Sequence, residues 1–148
     1  MNRRRVLAVL PLLALPVPGR AQTPPALPAG MAELPQGGVR VAFPAGAATL
    51  PAGAAPALAE LGRRLAERPA GFGRITVEGQ ASGPAEDAST ARRLSLARAQ
   101  AVRGALVAGG LDQTRVDVRA LGRTAAALDA ADVLPPDAPR SPGTNRAG

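Results

Sequence analysis

Apolar and polar residues alternate through Val39-Arg40-Val41-Ala42-Phe43, a period of two that predicts a half-buried strand. The period then changes. Leu58, Leu61 and Leu65, set among alanines, recur at helical spacing and predict a helix over 52–67, stopped by Pro69 and Gly71. Ile75, Val77 and Gly79 predict a second strand, followed by a loop over 81–88 that contains Gly83-Pro84. Ser89 or Thr90 is placed to cap the next helix. In that helix Leu94, Ala97, Ala101, Val102, Ala105 and Leu106 mark a buried stripe, and Gly109-Gly110 closes it. Val116, Val118 and Ala120 alternate with Asp117 and Arg119 as a third strand, which Gly122 breaks. Beyond it the pattern weakens, and Asp132-Val133-Leu134 is the candidate for a short last strand.

The order strand, helix, strand, helix, strand predicts an α/β class chain, an α+β sandwich with both helices packed on one face of a mixed sheet. A long helix joins the second and third strands, so these are expected to be parallel within a right-handed unit. The folded domain is expected over residues 38–134.

The two ends have a different character. Arg3-Arg4-Arg5, the apolar run Val6–Leu15 and the small residues of Gly19-Arg20-Ala21 together predict an export signal over 1–21, cleaved after Ala21. The apolar run is shorter than the roughly 20 residues that span a bilayer. Arg3-Arg4 fits a twin-arginine signal and an ordinary secretory signal equally. No later stretch is apolar enough for a membrane span, so a soluble periplasmic chain is expected, with attachment to the outer membrane through a partner left open. Residues 22–37 carry Pro24, Pro25, Pro28 and Pro35 and read as a semi-extended linker. Residues 135–148 read as a disordered Pro-rich tail.

Composition narrows the chemistry. There is no cysteine and no histidine, which removes disulfides, thiolate nucleophiles, the usual general base and most transition-metal ligand sets. All 18 basic residues are arginine, so a Ser–Lys arrangement is absent too. No pair of carboxylates stands out by spacing, and no catalytic residue, metal or cofactor is expected. The net charge of +7 owes much to four arginines in the first 20 residues. With Phe43 and Phe72 as its only aromatics, the chain lacks the stacking platforms of single-strand binders, so nucleic acid is not expected as a partner.

One residue breaks the second helix's apolar pattern. Arg98 lies one turn after Leu94 and one turn before Val102, on the edge of the buried stripe. Two readings fit. Its stem could lie on the core with its head in water. Or its planar fork could be held at the rim to grip an anion.

The segment Leu94-Ser95-Leu96-Ala97-Arg98-Ala99, with Ala101-Val102, Leu106 and Gly110-Leu111 behind it, resembles the Leu-Ser-x-x-Arg-Ala helix of the OmpA C-terminal domain family. That family also includes flagellar motor stators and peptidoglycan-associated lipoproteins. Phe43–Leu50 is similar to the family's first strand and the loop after it, and Ile75–Gly79 to its second strand. The resemblance runs from Val39 to Leu134. It implies a domain that binds the diaminopimelate-containing stem peptide of peptidoglycan without catalysis, through an aspartate just after the second strand and the helix arginine. Arg98 takes the arginine position. The aspartate is absent: where the family has Gly-His-Thr-Asp, this chain has Gly79-Gln80-Ala81-Ser82. Ser82 can hydrogen-bond but cannot neutralise an ammonium. The family's helix asparagine is Ala91 here. If Ala130–Leu134 is the last strand, Asp129 and Ala130 replace the arginine pair that opens it in the family, although Asn145-Arg146 resembles the start of that pair.

The resemblance therefore implies a ligand site of Arg98, Ser82, Gln80 and Ala81, with Asp87 as its candidate acid. Glu86 or Asp87 would be either a substitute carboxylate or a solvated loop acid favoured by the helix dipole. Two functions compete. One is association with the peptidoglycan stem peptide, weakened by loss of the aspartate. The other is an envelope protein-interaction module, with Arg92, Arg93, Arg98 and Arg103 as a basic helix side.

Overall fold

The computed structural model describes Gly19 and residues 26–141. The expected export signal (Gly19 apart), the first residues of the linker and the tail beyond 141 lie outside the described residues. The strands are β1 (Met31–Glu33), β2 (Val39–Ala42), β3 (Ile75–Gln80), β4 (Val116–Ala120) and β5 (Ala130–Leu134). The helices are α1 (Ala54–Ala66) and α2 (Ala88–Ala108).

The strands form a five-stranded mixed sheet in the order β1-β2-β5-β3-β4. β3 and β4 are parallel across α2, as the crossover length predicts. β5 runs antiparallel to both its neighbours. Thus the weakest strand signal in the sequence belongs to the middle of the sheet. Met31–Glu33, expected within the linker, instead pairs with β2 as an edge strand.

Alternation along the strands divides the sheet into two faces. Val41, Ile75, Val77, Val116, Ala131 and Val133 join Leu58, Ala99, Val102 and Leu106 of the helices in one core. The opposite face carries a row of charges in register: Arg40 opposite Asp132, Asp132 opposite Glu78, Glu78 opposite Arg119. Arg40 grips Asp132 with two hydrogen bonds of 2.7 and 2.8 Å, and Arg119 pairs with Glu78. Residues 135–141, expected to be disordered, lie against this face over the row. Ala138 is buried, and the Ser141 N–H donates to Glu78 at 3.3 Å.

The helices approach the sheet and each other through glycines. A Cβ at Gly79 would collide with the Ser95 carbonyl of α2. One at Gly62 would collide with the Leu106 carbonyl, and one at Gly109 with that of Ala59. α2 is thereby seated directly on β3, which fixes how far its inward side chains reach. Gly104 faces open space in the middle of the same helix. Gly79→Ala is expected to cost about 2–3 kcal/mol through overpacking. Gly104→Ala is expected to stabilise by roughly 0.5–1 kcal/mol. Urea unfolding of the two variants beside the parent checks both signs.

Candidate functional site

α2 begins with Asp87, not Ser89 or Thr90, as its N-cap: the Asp87 carboxylate accepts the Thr90 N–H at 3.1 Å. From there its inward face carries Ala91, Ser95, Arg98, Ala99 and Val102. Ser95 ties the helix to the loop between β4 and β5. Its hydroxyl accepts the Gly122 N–H at 2.9 Å and donates to the Arg92 carbonyl at 2.9 Å.

Arg98, one turn further along, does not reach water. Its side chain is 0% exposed. Nε donates to the Ala47 carbonyl at 2.8 Å, and Nη2 to the Pro44 carbonyl at 2.9 Å. Nη1 donates to the Gln80 carbonyl at 2.8 Å and to Oδ1 of Asp129 at 2.7 Å. The guanidinium carbon also lies 5.4 Å from the centre of the Phe43 ring, within cation–π range. One side chain thus joins the loop after β2, the end of β3 and the residue before β5. The expectation of an arginine head in water is corrected on this point. Burying the stem on a tightly seated helix carries the head inside, where backbone carbonyls replace the solvent.

Asp129 is the carboxylate of the cluster. Oδ1 also accepts the Ser82 N–H at 3.0 Å, and Oδ2 accepts the Ser82 hydroxyl at 2.6 Å. Its side chain keeps 20% exposure, so the acid is the open member of the pair and the arginine the closed one. Burial pushes the Asp129 carboxyl up, but the two hydrogen bonds from Ser82 and the bond and charge of Arg98 outweigh this and hold it below its ordinary 3.8.

Of the residues the resemblance implies, Arg98, Ser82 and the Gln80 carbonyl meet around Asp129. The Gln80 side chain turns elsewhere and accepts the Thr124 hydroxyl at 2.9 Å. Ala81 is buried and contributes its N–H to the Gly122 carbonyl. Asp87 stays at the helix cap, its carboxyl held below the usual range by its bonds from Thr90. The carboxylate that meets Arg98 and Ser82 is that of Asp129, which the sequence reading did not single out as an acid for the site. Its one signal in the sequence is an acid at a position where the resembled family has an arginine. Among the described residues no group of three or more His, Cys, Asp or Glu is placed to hold a metal, and no helix is long and apolar enough to cross a membrane.

The OmpA family profile matches residues 42–133, which contain the whole cluster. The chain belongs to the OmpA family. Solved OmpA-like structures share its fold. The peptidoglycan-associated lipoprotein of Burkholderia pseudomallei matches with a TM-score of 0.55 at 19% identity, over 64% of this chain and 87% of that one. The OmpA-like domain of FopA1 from Francisella tularensis subsp. tularensis gives 0.50 at 19% identity, over 73% and 75%. The periplasmic domain of Helicobacter pylori MotB gives 0.50 at 12% identity, over 70% and 83%. No curated protein matches. At these identities the likeness carries the fold, and the chemistry of the site has to come from this chain's own residues.

The linkage of Asp129 to stability has a definite sign. Its folded value is depressed, so its contribution is complete above the unfolded value of about 3.9 and is lost as pH falls through the folded one. Asp129→Asn leaves Arg98 buried without a counter-charge and is expected to cost about 3 kcal/mol at pH 7. That difference should shrink steadily below pH 4. Urea unfolding of parent and variant at pH 7 and pH 3 checks it.

Proposed function

We propose that this OmpA-like domain is a non-catalytic module of the cell envelope that associates weakly and non-covalently with peptidoglycan. It would take the ammonium end of the diaminopimelate stem peptide on Asp129. The observation that carries this reading is the asymmetry of the pair: Arg98 is sealed among protein carbonyls, while Asp129 remains partly open. Oδ2 of Asp129 takes only the Ser82 hydroxyl, which leaves acceptor capacity for an ammonium hydrogen. Arg98 then acts as a positioning residue that keeps the carboxylate ionised and aimed. Likeness to a peptidoglycan-associated lipoprotein and to a periplasmic motor domain supports the ligand and the compartment. The N-terminal pattern supports export with cleavage near Ala21.

A grip on one end of a zwitterion is weaker than a grip on both. A hydrogen bond to a charged group contributes about 1.5–3 kcal/mol, so losing the arginine contact lowers affinity roughly ten- to a hundredfold. The test is co-sedimentation of the chain with purified sacculi, with each variant's fold checked by its amide spectrum. The parent should pellet in a salt-sensitive way, and Asp129→Asn should pellet about tenfold less. Adding Ser82→Asp to Asp129→Asn returns the acid to the loop after β3 and should restore pelleting. A parent that stays in the supernatant overturns the reading and leaves an envelope protein as the partner. Equal pelleting by Asp129→Asn overturns the role given to Asp129.

A further inference from the structure

A groove of about 640 Å³ lies between the start of α2 and the loop after β4. Ser89 and Arg92 line one wall, and Leu121, Arg123 and Thr124 the other. None of its lining residues is acidic. We propose that this groove is an oxyanion-binding site, and that it recognises a carboxylate or phosphate group through Arg92 and Arg123.

Three observations carry the assignment. The first is the lack of counter-charge. Arg40, Arg63, Arg74, Arg98 and Arg119 each meet a carboxylate within the chain. Arg92 and Arg123 meet none among the described residues. Arg64, Arg68, Arg93, Arg103, Arg115 and Arg140 also lack one, but Arg92 and Arg123 share a cleft with no acid in its lining, whereas the cleft of Arg64 and Arg68 contains Glu33. Arg123 makes one bond, from Nε to the Ser82 carbonyl at 3.1 Å, which leaves both terminal amino groups for a ligand. The two residues come from separate elements and line one cleft, so an oxyanion bound there gains attraction from both charges. The second is chemical fit. A guanidinium fork matches the paired oxygens of a carboxylate or phosphate. The Ser89 hydroxyl, which accepts from Arg93 at 3.2 Å, keeps its own hydrogen to donate into the same space, whereas that of Thr124 is given to Gln80.

The third is rigidity. The Gly122 N–H is held by Ser95, its carbonyl by Ala81, and its left-handed φ of 65° brings the loop against the backbone of Arg92. Both walls are therefore set before a ligand arrives, which limits the ordering cost of binding. Ser82 stands between this groove and Asp129. Its N–H and hydroxyl serve the acid, and its carbonyl serves Arg123. The assignment does not rest on Asp129 taking an ammonium.

The test is an amide-resolved NMR titration of the chain with inorganic phosphate, and separately with acetate, at ionic strength matched with chloride. At least one anion should give saturable shifts centred on Ser89, Arg92, Arg123 and Thr124. The double variant Arg92→Gln, Arg123→Gln should weaken saturation at least about tenfold. Arg64→Gln, which removes an exposed charge from α1, should leave it unchanged. The anion that saturates at lower concentration identifies the natural group as phosphate or carboxylate. Shifts no larger than those in chloride overturn the proposal. So does saturation that survives in the double variant, or that falls equally in Arg64→Gln.

Discussion

Arg98 is a cation enclosed by its own domain, and the arrangement around it follows from the need to give that charge partners. Three carbonyls and one carboxylate meet its guanidinium, and they come from three separate stretches of chain. Leaving a buried charge unpaired costs several kcal/mol, so these stretches are held together by the cost of parting them as much as by the bonds themselves. The reach of the arginine is set by the seat of its helix. Because Gly79 has no side chain, the backbone of α2 rests on β3, and the side chain one turn beyond Ser95 arrives at the end of that strand. Packing and electrostatics solve one problem here.

Beside the resembled family, the chain has an arginine at the helix position and no aspartate after β3. The loop after β3 carries Ser82, and the carboxylate that meets Arg98 is Asp129, at a position where the resembled family has an arginine. Ser82 is not an empty replacement, since it donates twice to that carboxylate. The unpaired positive charge nearby lies on Arg92 and Arg123, on the far side of Ser82. A shared fold therefore does not by itself settle the chemistry of the site, since binding chemistry is carried on the scaffold by particular side chains.

How much was legible depended on whether a feature was local. Val39, Val41, Ile75, Val77 and Val116 announce their strands because the alternation is written within each strand itself, whatever distant elements it faces. Both helices and the parallel β3–β4 pair were legible for the same reason. β5 was faint because Ala130 and Ala131 have little strand preference and Asp132 is charged. Its conformation is imposed by β2 on one side and β3 on the other. β1 is three residues in a proline-rich stretch, too short for any period. Arg98 was conspicuous as a misfit in an apolar stripe, but its burial was not, because the carbonyls that replace water come from Pro44, Ala47 and Gln80. Asp129 is 31 residues from Arg98, and no local pattern joins them. Arg92 and Arg123 become neighbours only when Gly122 brings the loop back against α2.

The strand order has a consequence for how the molecule comes into being. β5 is the last strand among the described residues, yet it is the one on which both halves of the sheet close. Without it the sheet has no hydrogen-bonded link between β1–β2 and β3–β4, and the adjoining Asp129 is what gives the guanidinium under α2 its counter-ion. A chain emerging from its N-terminus therefore cannot complete its fold by increments. The five-stranded sheet and the counter-ion of Arg98 both need residues 129–134, at the far end of the domain from β1 and β2.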